Sequence, residues 1–213
     1  MACRPTTAES HVTTSERLIE AATAEFADKG LKDANLRDIC ALADVNLNAV
    51  RYHFGGKEAL YVAAVKHAHR SVMGDIRPPS DESTPPEDRL REIISMLLTV
   101  ALGQQRPLTA EHKLMHREFS DPTEATVQVA RAFAKPMFMA LRSAISEMLP
   151  ADTSAIERNM LTTSVIGQCM HFKFGRQIDE LIIPKSEFRK FTMKRLTDHI
   201  YRVTLAAIRD YSA

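Results

Sequence analysis

The sequence predicts an all-α protein, and three observations lead to that prediction. Glycine is scarce, with 7 residues in a chain of 213, and no Asn-Gly or Asp-Gly pair marks a β-hairpin. Most long segments repeat apolar residues every three or four positions instead of every two. Hydrophobic residues make up 45% of the chain, which is enough for a substantial core. We expect about nine helices, arranged as an N-terminal head of three helices and a larger C-terminal helical domain.

The N-terminal part of the chain carries four helical patterns after a polar, flexible arm at 1–12. Thr13 and Glu16 form a capping-box signature at the start of the first helix, and Gly30 is expected to stop that helix. Asn35 can cap the second helix, and a glycine pair separates the third helix from a connecting fourth. We expect these helices near 14–29, 36–44, 47–54 and 57–73, so that 13–73 forms the head with its connecting helix.

A linker is expected at 74–85, because prolines and acidic residues concentrate in this region. Farther along, Asp121-Pro122 combines a cap with a proline suited to a first helical turn, and Ser154 with Glu157 forms a second capping box. The domain that follows the linker, 86–213, is expected to contain helices near 86–103, 108–119, 122–149, 153–179 and 185–210.

Apolar residues occupy two faces of the last expected helix. A helix that is wet on one side needs a single apolar stripe. The second stripe, which includes Tyr201 and Leu205, therefore packs either on a partner subunit or on more of the chain's own core. We favour a partner, since the faces of obligate dimers resemble a domain core cut in half.

The second and third helices have the form of a helix-turn-helix, in which the second helix of the pair enters the major groove of DNA. Asp44-Val45-Asn46 joins the two helices, and Asn46 can cap the later one. Along that later helix, Val50 and Phe54 are expected to face inward, with Leu47 on the same stripe. The positions left facing outward are Asn48, Ala49, Arg51 and His53.

These outward side chains suit duplex DNA. An amide pairs with adenine, a guanidinium pairs with guanine or phosphate, and a small alanine contacts the thymine methyl group. Lys57, at the start of the fourth helix, can hold a phosphate together with free backbone N–H groups. No acidic residue lies between Val45 and Lys57, although the net charge of the whole chain is only +1. The alternative for this stretch is a short solvated helix after a capped turn.

Residues 13–65 resemble the DNA-binding head of the TetR family of bacterial transcriptional regulators. The chain departs from the family pattern at Asn35, Asp44, Asn46 and Arg51, where the family usually has Thr, Gly, Ser and Tyr. The matching segments are Arg17-Leu18-Ile19-x-Ala21-Ala22-x-x-x-Phe26-x-x-x-Gly30, Leu36-Arg37-Asp38-Ile39-x-x-x-Ala43-x-Val45 and Tyr52-His53-Phe54-x-x-Lys57-Glu58-x-Leu60.

The TetR resemblance implies roles for individual residues of the head. His53 and Lys57 match positions that contact the DNA backbone, whereas Tyr52 is expected to pack in the core of the head. Arg51 keeps an affinity for phosphate and can also read a base. The full set of candidate DNA-binding residues is Asn35, Arg37, Asn46, Leu47, Asn48, Ala49, Arg51, His53 and Lys57.

The stretch from Val45 to Gly55 is also similar to one TetR subgroup, the CecR-like regulators. Arg117-Glu118 and Ile166-Gly167-Gln168 resemble segments that recur in the larger domain of this subgroup. The similarity implies a homodimer, formed through the last two long helices, that binds double-stranded operator DNA. The expected function is a repressor that a small, largely apolar effector releases from the operator. The alternatives are a C-terminal domain that only dimerises, or an all-α enzyme or metal-binding protein.

Eight of the ten methionines follow the linker. Flexible thioethers and aromatic rings line adaptable pockets, and polar groups orient a ligand inside them. Core packing is the alternative for every Met and Phe in this pattern. The resemblance favours a cavity in this domain, and the candidate ligand-binding residues are Met96, Met115, His116, Phe119, Phe133, Met137, Gln168, Met170, His171 and Phe174.

Catalytic, cofactor and metal sites are not expected. The sequence has no GxSxG and no phosphate-binding glycine loop. His112 and His116 have a spacing that suits a transition metal, but no third ligand matches it. The cysteines Cys3, Cys40 and Cys169 are too scattered for a metal clamp or a disulfide framework. No segment is apolar enough for a membrane helix or a secretory signal, so we expect a cytoplasmic protein.

Overall fold

A computed structural model describes residues 13–74, 77–79, 83–103 and 109–211. Within these ranges all regular secondary structure is helical, which confirms the all-α prediction. Each of these helices is too short or too polar to cross a membrane. The arm at 1–12 and part of the linker at 74–85 lie outside the described residues. The helices are α1 (Thr14–Asp33), α2 (Leu36–Leu42), α3 (Leu47–Phe54), α4 (Lys57–Met73), α5 (Pro86–Leu102), α6 (Ala110–Ser120), α7 (Glu124–Val129), a π-helical turn (Ala130–Ala134), α8 (Lys135–Met148), α9 (Ala155–Phe174), α10 (Arg176–Ile182), α11 (Lys185–Phe188) and α12 (Met193–Asp210).

Capping boxes start two helices where the sequence predicts them. At α1 the backbone N–H of Thr13 donates to Glu16 Oε2 at 2.7 Å, and the backbone N–H of Glu16 donates to Thr13 Oγ1 at 3.2 Å. Ser154 and Glu157 form the same reciprocal pair at α9. Both predictions are confirmed, and each box satisfies N–H groups that a helix start leaves without an intrahelical partner.

Two expected helix ends differ in detail. Gly30 leaves the helical conformation with φ of 77°, as expected of a stop, yet a further turn follows and α1 ends at Asp33. Asp121 does not cap α7, because it still belongs to the end of α6. The cap of α7 is instead Thr123, whose Oγ1 accepts the backbone N–H of Ala125 at 3.1 Å.

The last two long helices of the prediction are each interrupted, so the described residues hold more helices than the expected nine. The segment 153–179 divides at Gly175, where a Cβ atom would lie 2.5 Å from the His171 ring and 3.0 Å from its carbonyl oxygen. The segment 185–210 divides into α11 and α12, because Thr192 starts a new helix by accepting the backbone N–H of Arg195 at 3.4 Å. A glycine that fits closely against His171 and a local cap at Thr192 therefore interrupt the apolar periodicity.

The described residues form two compact units, 13–72 with 109–129 and 73–103 with 130–211. Helices α6 and α7 thus group with the head, whereas the sequence assigns all of 86–213 to one domain. That assignment of functional domains stays a prediction. The first unit buries a core that includes Leu18, Phe26, Ile39, Leu60 and Tyr61, and the second buries Leu90, Ile93, Ile94, Leu98, Met137, Leu141, Ile145, Leu149, Val165, Cys169, Leu196, Ile200 and Ile208.

Candidate nucleic-acid interface

A tight turn sets the direction of α3 relative to α2. Asp44 has φ of 51°, the only positive φ outside glycine in the described part of the chain. A short polar side chain tolerates this conformation better than most residues do, which explains how Asp44 replaces the glycine that the TetR family usually has here. The backbone N–H of Val45 then donates to the carbonyl of Cys40 at 3.0 Å, and Asn46 Oδ1 accepts the N–H of Ala49 at 3.1 Å. The predicted cap of α3 is confirmed.

Helix α3 is anchored from one side only. Val50 is 1% exposed and Phe54 is partly buried, as expected for the inward positions. The prediction that Leu47 is covered as part of this inward stripe is wrong, because Leu47 is 49% exposed. At about 100° per residue, Leu47 lies about 60° from Val50 and about 20° from Phe54, so its direction matches the stripe. It is nevertheless the first residue of α3, and it is left uncovered there.

The prediction that Tyr52 packs in the core of the head is also wrong. Tyr52 is 86% exposed, and its ring meets that of His53 edge-on with centroids 5.0 Å apart. Two residues along a helix turn the side chain by about 200°, so burial of Val50 directs Tyr52 to the opposite face. An aromatic ring that the sequence assigns to the interior is therefore part of the outer surface.

We define the α3 surface as the exposed side chains of this helix. Asn48, Arg51 and His53 are exposed as predicted, Ala49 is half-buried, and α3 contains no acidic residue. The surface combines an amide, a guanidinium, an imidazole and a phenol on one short rod. The members of the α3 surface are Leu47, Asn48, Arg51, Tyr52 and His53.

The remaining candidates for DNA binding flank α3. Asn35 caps α2 by accepting the backbone N–H of Arg37 at 2.9 Å, and both residues are exposed. Lys57 is half-buried at the start of α4, where its Nζ donates to the carbonyl of Lys32 at 3.0 Å. An ammonium group has three N–H donors, so this bond leaves two for another acceptor. Lys57 thus fastens α4 to the end of α1, a role that sequence reasoning did not anticipate.

A buried polar network in the first unit was also missed by sequence reasoning. The carboxylate of Glu118 on α6 is 3% exposed and accepts the hydroxyl of Tyr61 on α4 at 2.6 Å. The hydroxyls of Thr123 and Thr126 donate to the same carboxylate at 2.9 Å and 2.6 Å. Burial, and then the hydrogen bond to Glu118, raise the pKa of Tyr61. The network ties α4, α6 and the start of α7 together with directional bonds.

Arg117, the neighbour of Glu118, ties α6 to α1. Its Nη2 donates to the carbonyl of Asp28 at 3.0 Å. Its guanidinium also lies over Gly30, where a Cβ atom would come within 2.7 Å of Nη1. The Arg117-Glu118 pair, which the sequence marks by resemblance alone, therefore holds α6 on two helices of the head. A signal was present in the sequence, but it carried no information about the contacts.

The candidate ligand-binding residues divide between the two units. Phe133 and Gln168 are partly buried in the second unit, whereas His171 is exposed and its Nε2 lies 2.9 Å from Asp179 Oδ2. Phe174 is also exposed. Met137 belongs to the core of the second unit, and Met96 and Met170 pack against it. In the first unit Met115 is half-buried, and His116 and Phe119 are exposed.

A cavity of about 440 Å³ in the second unit is lined by other residues, among them Phe172, Phe188 and Arg176. None of the candidate ligand-binding residues lines it. The signal that sequence reasoning lacked is the interruption of the last two helices, because the cavity lies where they break. The role of the candidate residues as ligand contacts stays a prediction.

The second apolar stripe of the last helix joins the chain's own core. Ile208 is buried, and Met193, Tyr201 and Leu205 pack against the core of the second unit. We favoured a partner subunit on this stripe from the sequence, but the chain's own core covers it. An exposed apolar stripe instead runs along α9 and α10, with Ile156, Met160, Phe174, Ile178, Leu181 and Ile182.

Two family models match the sequence. Residues 18–64 match the bacterial regulatory proteins of the tetR family. Residues 86–208, more than half of the chain, match the C-terminal domain of the HTH-type transcriptional dual regulator CecR.

Two relatives with similar sequences are HTH-type transcriptional regulators. The HTH-type transcriptional dual regulator CecR of Shigella flexneri is 27% identical over 171 residues, which are 76% of this chain and 76% of that protein. The HTH-type transcriptional regulator BetI of Brucella canis is 25% identical over 131 residues, which are 61% of this chain and 66% of that protein.

Solved structures share the fold. SmeT, the repressor of the Stenotrophomonas maltophilia multidrug efflux pump SmeDEF, has a TM-score of 0.60 over 92% of this chain and 90% of its own, at 22% identity. A TetR-like transcriptional regulator from Rhodococcus sp. RHA1 has a TM-score of 0.55 over 97% of this chain and 99% of its own, at 13% identity. At these identities the likeness concerns the fold alone.

Proposed function

Because this chain belongs to the TetR family of DNA-binding transcriptional regulators, and to its CecR-like kind, we propose that it is a homodimeric repressor released from operator DNA by a small-molecule effector. The observation that carries the proposal is the α3 surface: exposed polar side chains on a helix fixed by a cap at Asn46 and a buried anchor at Val50. A repressor of bacterial genes acts in the cytoplasm, where the chromosome lies.

The α3 surface enters the major groove in this proposal. Asn48 and Arg51 read base edges, since an amide suits adenine and a guanidinium suits guanine. Ala49 and Leu47 offer apolar contact to thymine methyl groups. His53 contacts phosphate oxygens, which position the helix without reading sequence. The phosphate contacts are completed around α3 by Asn35, Arg37, Asn46 and Lys57.

The dimer forms through the exposed stripe of α9 and α10 and through the other apolar face of α12, where Val203 is 42% exposed. Ile156, Met160 and Phe174 lie within about 40° of one another around α9, so they share one face of the helix. Gly167 lies on the same face, and a Cβ atom added there would meet nothing within 4 Å. A glycine on an exposed apolar stripe lets a second helix approach closely. The occupant of this face is a second copy of the chain.

Effector binding changes DNA affinity through the arrangement of the dimer. Two heads reach successive major grooves only when their recognition helices are about 34 to 36 Å apart. An effector that prefers a dimer with another separation releases the DNA, to the extent of its differential affinity for the two states. SmeT carries the name of a repressor, whereas CecR carries that of a dual regulator. A second role as activator is therefore the alternative for this chain.

The experiment is selection of duplexes from a random-sequence pool, followed by gel shifts across a salt series. We expect a palindromic site to be enriched and its affinity to fall steeply with salt, because phosphate contacts release counterions. A protein that enriches no sequence, or whose weak binding is the same for every duplex, is not a sequence-specific regulator. A reporter gene behind the selected site then separates repression from activation.

A further inference from the structure

The cavity of the second unit has an aromatic wall. It lies where α9 gives way to α10 and where α11 gives way to α12, and its volume is about 440 Å³. That size is within the range of about 300 to 1,000 Å³ that small-molecule sites occupy. The rings of Phe172 and Phe191 meet edge-on with centroids 6.3 Å apart, and those of Phe188 and Phe191 lie 5.4 Å apart. Three rings so arranged present both faces and edges to a planar apolar group.

The polar side of the cavity carries an excess of positive charge. Arg176, Lys185 and Arg189 line it, with Glu180 as its acidic residue. Arg176 Nε donates to Glu180 Oε1 at 2.9 Å, and its guanidinium carbon lies 5.4 Å from the ring centroid of Phe188. Glu180 is therefore already neutralised, and Arg176 is held in place from two sides.

Two cations of the cavity remain without a carboxylate. Within the described ranges, neither Lys185 nor Arg189 has an ion pair or a side-chain hydrogen bond. Both are exposed, so water solvates them when the cavity is empty. A ligand with a carboxylate replaces that water by charge-assisted bonds, and the guanidinium of Arg189 has the fork geometry for a bidentate pair.

We propose that this cavity binds an organic carboxylate with an aromatic body. The carboxylate pairs with Arg189 and Lys185, and the aromatic body packs against the wall formed by Phe172, Phe188 and Phe191. The site is defined by its own geometry. Only the further role of this ligand class as the effector rests on the proposed function. The cavity also borders the core of the second unit. Phe172 packs against that core, and Leu196, in the first turn of α12, lines the cavity and is buried.

Isothermal titration calorimetry on the full chain without DNA tests the site. The probes are naphthalene-2-carboxylate and its uncharged isostere naphthalene-2-carboxamide. We expect the carboxylate to bind at least ~10-fold more tightly than the amide, since each charge-assisted bond contributes about as much as one such factor. The variant with both Lys185→Gln and Arg189→Gln should bind the carboxylate only as well as the amide. Lys190→Gln, an exposed lysine that does not line the cavity, is the control and should change neither value.

Two results would overturn the site: equal affinity for carboxylate and amide, or an unchanged carboxylate affinity in the double variant with native helix content by circular dichroism. Phe191→Leu gives a second readout, because loss of the ring should weaken carboxylate and amide alike. Gel shifts with the carboxylate then test the effector role separately. A chain that binds the probe but no DNA contradicts the proposed function and leaves the site intact, whereas one that binds DNA but not the probe contradicts the site.

Discussion

Each of the two compact units has an apolar core, but the first also contains a buried network around one carboxylate. The first contains a buried carboxylate, Glu118, that accepts hydrogen bonds from Tyr61, Thr123 and Thr126. The second buries a core of aliphatic side chains drawn from α5, α8, α9 and α12. Hydrogen bonds to a carboxylate are directional, whereas apolar contacts tolerate repacking of similar volume. The network of Glu118 therefore fixes the geometry around one buried group in the first unit, whereas the apolar core of the second unit tolerates repacking.

Both units also present cations to a binding partner, but on surfaces of opposite shape. Arg51 stands on a convex helix, from which it reaches the groove of a duplex. Lys185 and Arg189 line a cavity of about 440 Å³, which no duplex enters but a small anion fits. The net charge of the chain is +1, so neither preference is visible in its composition. The shape of the surface selects the partner, and the local charge strengthens the interaction.

The strongest test of this contrast removes the directional bonds of the first unit. Glu118→Ala leaves the buried hydroxyl of Tyr61 and the half-buried hydroxyls of Thr123 and Thr126 without this acceptor, so we expect the free energy of unfolding to fall by about 3 kcal/mol. Urea unfolding followed by circular dichroism measures the loss. Glu20→Ala, an exposed acid of α1, is the control and should change stability by less than about 0.5 kcal/mol. A loss as small as the control's would mean that the network does not hold the unit.

A large residue on the exposed stripe of the second unit tests the dimer. Gly167→Gln adds a side chain into open space, so the monomer should become more stable by about 0.5 kcal/mol through helix propensity. The dimer should dissociate about 30-fold more readily, because the second α9 can no longer approach closely. Sedimentation equilibrium measures the populations of monomer and dimer, and hence the dissociation constant. Ala24→Gln, an exposed site of α1, should leave the dimer intact, and an unchanged dimer in Gly167→Gln would place the interface elsewhere.

Two substitutions separate reading from positioning at the head. Asn48→Ala should lower affinity for the selected duplex by about 1 to 2 kcal/mol and relax its preference at one base pair. Lys57→Ala should weaken binding to all duplexes alike by about 1 kcal/mol. It should also reduce the slope of log affinity against log salt by about one, as expected for the loss of one phosphate contact. Gel shifts on matched and mismatched duplexes measure both. Because Lys57 also bonds to the carbonyl of Lys32, unfolding of this variant must be measured beside its DNA binding.

The smallest expected effect concerns pH. Burial and the bond to Glu118 raise the pKa of Tyr61 above its ordinary value of 10.0, so the folded state favours the neutral phenol. This contribution to stability is complete below that ordinary value and is lost as the pH rises through the folded-state pKa. Tyr61→Phe should therefore flatten the decline in urea midpoint above about pH 10. Tyr211→Phe, an exposed tyrosine, should keep the wild-type decline. A flatter decline in Tyr211→Phe than in Tyr61→Phe would contradict the assignment of this pH dependence to Tyr61.

The features that sequence analysis located depend on short stretches of chain. The caps at Thr13, Asn35, Asn46 and Ser154 involve partners within three residues, so each is visible in the sequence itself. Asp44 at positive φ follows from the same local chemistry. The two errors on α3, at Leu47 and Tyr52, came from judging burial by residue type. Tyr52 lies about 200° around the helix from the buried Val50, and Leu47 is the uncovered first residue of α3.

By itself the sequence determined the helical class, the capped starts of α1, α2, α3 and α9 and the helix-turn-helix, because hydrogen bonds between residues at most four apart specify them. Only the tertiary structure decided that Glu118 is buried beneath Tyr61 and that Arg117 lies over Gly30. It also decided that Phe172 and Leu196, which belong to different helices, line one cavity. These outcomes depend on which distant segments come together, and burial is a property of that assembly and not of any single residue.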